Sequence, residues 1–79
     1  MPVVLRVGGF SFGIFRGDHE PPHVHVRYSG GRLVIEIESE RIRGVAGMNA
    51  SDIAHARRLV RTYRDDLLAA WAERLKKET

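Results

Sequence analysis

His23-Val24-His25-Val26-Arg27-Tyr28-Ser29-Gly30-Gly31-Arg32-Leu33-Val34-Ile35-Glu36-Ile37-Glu38 reads as two strands joined by a tight turn. Apolar residues recur at every second position on both sides of a glycine pair, the pattern of strands with one buried face. A two-residue turn at Gly30-Gly31 would pair Tyr28 with Leu33, Val26 with Ile35 and Val24 with Ile37 on an apolar face. The same register sets His25 opposite Glu36, His23 opposite Glu38 and Arg27 opposite Val34 on the other face. A slip of one residue would turn every core side chain outward. The hairpin is therefore expected to present histidines beside carboxylates on a polar face.

Before it, Val3, Leu5 and Val7, then Phe10, Phe12 and Ile14, alternate around Gly8-Gly9 and predict a first hairpin. After it, Asn49 with Asp52 three residues on predicts a helix start. Ile53, Ala56, Val60, Tyr63, Leu67, Trp71 and Leu75 then keep helical spacing. The expected fold is an α+β domain over residues 1–79. A four-stranded antiparallel meander occupies residues 1–44, with a histidine-rich segment at 18–25, and one long helix over 49–77 packs on its apolar face. Arg57, Arg61 and Arg64 form a basic stripe off the apolar side of that helix, expected to be solvated and paired with Asp65.

A chain of 79 residues buries a thin core, and with no cysteine it has neither disulfides nor thiolate metal ligands to reinforce it. No apolar run approaches the ~18 residues of a membrane span, and the start lacks the basic region and cleavage site of a signal peptide. A soluble, cytoplasmic protein is expected. The net charge of +3 permits attraction to nucleic-acid phosphates but is far from a basic tail.

Chemistry concentrates in Asp18-His19-Glu20-Pro21-Pro22-His23-Val24-His25, which holds three of the four histidines. Imidazoles two residues apart on a strand share a face and can converge on one ion, phosphate or substrate group. Asp18 or Glu20 could orient an imidazole through its second N–H, while the prolines stiffen the approach to the strand. His19, His23 and His25 are the candidate catalytic residues, and Asp18, Arg27 and Glu36 the candidate binding residues. Imidazole and carboxylate also suit a divalent transition metal, with His19, His23, His25 and Glu36 as the ligand set, although the proton chemistry needs no cofactor. His55, alone on the helix, reads as a surface or packing residue. Gly13, inside a strand, marks a bulge or the close approach of a ligand.

The run from Asp18 to Val26 resembles the signature of a family of small bacterial proteins known as domain of unknown function 4160. Phe10-Ser11-Phe12-Gly13-Ile14, Ile35-Glu36-Ile37-Glu38 and Asp65-Asp66-Leu67-Leu68-Ala69-Ala70-Trp71 follow the same order, so the likeness covers most of the chain. Leu59-Val60 stands where the family usually has an aromatic residue. The resemblance implies a place in a two-gene toxin–antitoxin-type module, beside a small cognate partner.

Two readings of the histidines emerge. In one, His19, His23 and His25 bind or act on an RNA phosphate as acid, base and phosphate ligand, in the manner of a metal-independent ribonuclease. In the other, the same histidines make a non-enzymatic metal-binding or protein-interaction module. A helix of about 40 Å would overhang strands of about 20 Å. Leu67, Trp71 and Leu75 are therefore expected to form an interface, as a homodimer or with a cognate partner.

Overall fold

The computed structural model describes the backbone of residues 3–76 and the side chains of residues 3–74. Strands β1 (Val3–Val7), β2 (Phe10–Gly13), β3 (His23–Tyr28), β4 (Gly31–Glu36) and β5 (Ile42–Ala46) precede helices α1 (Ala50–Thr62) and α2 (Arg64–Lys76). The strands form one antiparallel sheet in the order β1-β2-β3-β4-β5. The α+β meander is as expected, but it has five strands where four were expected. The extra strand, Ile42-Arg43-Gly44-Val45-Ala46, is an edge strand with only Ile42 part-buried. It therefore carries no alternation of buried and exposed residues, and pairing with β4 is what makes it a strand.

The central hairpin turns one residue earlier than its glycines suggest. Ser29 and Gly30 take the positive φ angles of 49° and 82° that a two-residue turn of this hand requires. Gly31 instead starts β4, where a Cβ would collide with the carbonyl of Gly47 and the side chain of Met48. The pairing becomes His23 with Glu36, Val24 with Ile35, His25 with Val34, Val26 with Leu33 and Arg27 with Arg32. Each partner is displaced by two positions, so every side chain keeps its predicted face while the cross-strand neighbours change.

Phe10, Phe12, Val24, Val26, Leu33 and Ile35 form the sheet's share of the core, closed by Ala56 and Val60 of α1 and Leu67 and Trp71 of α2. His55, expected to be a surface or packing residue, is exposed and meets the ring of Phe10 edge-on. Asn49 caps α1, its side chain accepting from the Asp52 N–H at 2.8 Å.

The helix expected over 49–77 is interrupted at Tyr63 (φ −104°, ψ 22°), and residues 77–79 lie outside the described residues. The overhanging stripe is also absent, because Leu67 is 1 % and Trp71 4 % exposed within the chain itself. The connection between β2 and β3 supplies the surface that the strands alone lack. Its Glu20 carboxylate accepts from Trp71 Nε1 at 2.6 Å, and its Asp18 carbonyl accepts from Arg74 at 2.9 Å. Leu67 and Trp71 are thus core residues, and the side chain of Leu75 lies outside the described residues. No helix among the described residues is long and apolar enough to cross a membrane.

Arg61 and Arg64 are held by Glu40, in the β4–β5 turn, rather than by Asp65. Arg61 meets both Glu40 oxygens at 2.9 and 2.7 Å, and Arg64 donates at 2.7 Å. The hydrogen bond from Arg61 is the main reason the Glu40 carboxyl falls from 4.5 to about 2; both guanidinium charges add to it and partial burial opposes it. A carboxyl with a depressed folded value contributes stability above its unfolded value and loses it as the pH falls towards its folded one. The stability difference between wild type and Glu40→Gln in urea titrations is therefore expected to be full at pH 7. It should shrink as the pH falls from about 4.5 towards 2. A difference independent of pH would mean that the ion pairs contribute nothing.

Candidate functional site

The face of the sheet opposite the helices carries the polar residues in rows. One row runs Arg6, Ser11, Arg27, Arg32 across β1 to β4, and the next runs Gly13, His25, Val34, Gly44 across β2 to β5. Of the core side chains on the helices Trp71 meets this face, at its His23 end, and Arg6, Arg27 and Arg32 are exposed. Phe15, His25, Arg27, Arg32, Val34 and Gly44 line a groove of about 320 Å³ there. Gly13 and Gly44 flank the His25–Val34 pair; Gly44 lines the groove, whereas Gly13 is the buried last residue of β2 and not the strand-interior position expected.

Asp18, His23 and His25 converge at one end of this face. Phe15 N–H donates to Asp18 Oδ2 at 2.9 Å, and the Asp18 N–H donates to the Phe15 carbonyl at 3.1 Å, closing a tight turn that aims the carboxylate at β3. The Nε2 atoms of both histidines face that carboxylate, His25 at 3.2 Å from Oδ2 and His23 at 3.5 Å from Oδ1. His23 is 6 % exposed, and its Nδ1 lies 3.0 Å from the Pro21 carbonyl and 3.1 Å from an Arg43 nitrogen. Its ring packs against Trp71 at 5.2 Å, and the ring of His25 meets the edge of Phe15 at 4.7 Å. The Glu20–Pro21 peptide is cis.

This constellation differs from the expected one in three places. His19 is exposed and does not belong to the converging group, because it follows the turn that aims Asp18 inward. Glu36 lies across from His23 rather than His25, and its carboxylate is engaged by the Ser39 hydroxyl at 2.6 Å. Asp18, expected to orient an imidazole and to serve as a binding residue, stands at the centre. Arg43 was missed altogether, since it belongs to the strand that shows no alternation. Of the histidines only His25 both belongs to the group and lines the groove, and Arg27 and Arg32 lie beside it.

No curated protein and no solved structure matches the chain. Residues 9–72, which include the whole Asp18, His23 and His25 group, match the domain of unknown function DUF4160. The chain belongs to the DUF4160 family.

Proposed function

We propose that the protein binds the phosphate backbone of single-stranded RNA along the uncovered face of its sheet, with the Asp18, His23 and His25 centre set against the bound phosphodiester. The observation that carries this reading is the unbroken row Arg6, Ser11, Arg27, Arg32 beside the groove that His25 lines. Three inter-strand steps of about 4.8 Å make this a basic strip about 14 Å across. Arginines on a rigid sheet are fitted to phosphate oxygens because their guanidinium donors form a planar fork. Phe15, 39 % exposed at the rim, offers a ring on which a base can stack. The toxin–antitoxin-type setting implied by the family resemblance would supply RNA as target and a small protein as partner. A partner or a second copy would meet the edge strands, where Val45 is exposed, because Leu67 and Trp71 are already covered.

Fluorescence anisotropy with a labelled single-stranded RNA oligonucleotide, repeated over a range of salt, tests this. Each phosphate contact contributes about 0.7 to the slope of log K against log salt. Arg27→Ala with Arg32→Ala is expected to weaken binding and reduce that slope by about 1.4, with the fold unchanged because both side chains are exposed. Equal affinity and equal slope in the double variant would refute the reading.

A further inference from the structure

We infer that Asp18, His23 and His25 form a binding site for a divalent transition metal ion. Metal bonds of about 2.0–2.2 Å at tetrahedral angles separate donor atoms by roughly 3.3–3.6 Å. The observed separations from the Asp18 oxygens are 3.2 Å to His25 Nε2 and 3.5 Å to His23 Nε2. All three donor atoms lie within 4.8 Å of one another, so closing the widest pair takes a ring movement of at most about 1.5 Å. Two imidazoles and one carboxylate form a donor set for zinc, iron(II), nickel or manganese, and leave coordination positions open. Those positions fall to water or to an oxygen of a ligand in the groove that His25 lines.

The surroundings are those of a ligand set held in advance. In the tautomer that carries its proton on Nδ1, His23 donates to the Pro21 carbonyl 3.0 Å away and points its Nε2 lone pair at Asp18. With that tautomer two acceptors face each other across 3.5 Å, with the His23 side chain 7 % and the Asp18 side chain 14 % exposed. A cation between them turns that opposition into coordination. Asp18 is fixed by Phe15 and Arg74, and the two rings are wedged by Trp71 and Phe15. Arg43 is the opposing element, since its guanidinium stands 3.1 Å from the same Nδ1. It is an exposed residue, so solvent is open to the guanidinium when the ring proton sits on Nδ1.

The inference goes beyond RNA binding and does not depend on it. Protein stripped with a chelator is titrated calorimetrically with zinc alone, and cobalt(II) absorption reports the donor set. One ion per chain is expected. Asp18→Asn and His25→Gln should each weaken uptake at least by the ~10–100-fold that losing a mere supporting partner costs a metal site. Arg43→Gln should tighten it. Circular dichroism of each variant confirms the fold, and His25→Gln keeps the test valid should Asp18→Asn loosen the turn. Zinc binding no tighter than millimolar in the wild type would overturn the inference, as would uptake unchanged in folded His25→Gln. RNA affinity measured in chelator reports separately on the arginine row.

Discussion

Trp71→Ala is expected to lower the stability of the protein by about 3–5 kcal/mol. A domain of this length has a total stability of roughly 4–12 kcal/mol, so the variant should be largely unfolded near its normal working temperature. Trp71 is the single tryptophan of a thin core, and its removal leaves a cavity under α2 that a short chain has little material to refill. It also holds the connection that carries Asp18. Its indole N–H donates to Glu20, Arg74 stacks 3.6 Å over its ring, and the same arginine donates to the Trp71 and Asp18 carbonyls. Trp71→Phe retains most of the apolar contact and loses the N–H, so a loss of about 1–2 kcal/mol is expected. Urea unfolding followed by circular dichroism measures both. An alanine variant within 1 kcal/mol of wild type would show that α2 does not clamp the connection.

The second large effect separates two histidines that look alike in sequence. His23→Ala is expected to cost about 1–3 kcal/mol, because it strips partners from groups with little access to water. Those groups are the Asp18 carboxylate and the facing ring of Trp71, and the Pro21 carbonyl loses a partner as well. His25 sits part-exposed on the groove between Gly13 and Val34. His25→Ala is expected to cost less than about 1 kcal/mol and still remove metal uptake and weaken RNA binding. Urea midpoints compared with zinc and RNA titrations of the same preparations distinguish the roles. Equal destabilisation by the two substitutions would make His25 a structural residue and leave the groove without its central side chain.

Alternation with a period of two is a property of neighbouring residues, and for that reason several features were legible in the primary structure. The facing of Val24 and Val26 towards the core, the placing of His23 and His25 on the opposite side of β3, the first hairpin at Gly8-Gly9 and the Asn49 cap all follow from local spacing and turn chemistry. The concentration of histidines and carboxylates in residues 18–25 is likewise a property of neighbouring residues. Long-range packing decided the rest. Gly31 and Gly30 are equivalent as turn formers until Gly47 approaches Gly31, and that contact sets the register which places Glu36 beside His23. β5 has no pattern of its own and exists because β4 has an open edge. Trp71 looks like an interface anchor until the connection after β2 folds beneath it. Whether His19 or Asp18 joins His23 and His25 depends on the turn at residues 15–18, which rotates adjacent side chains to opposite sides of the chain. Spacing along a chain specifies which residues share a face. Which of them meet is settled only when distant segments compete for the same space.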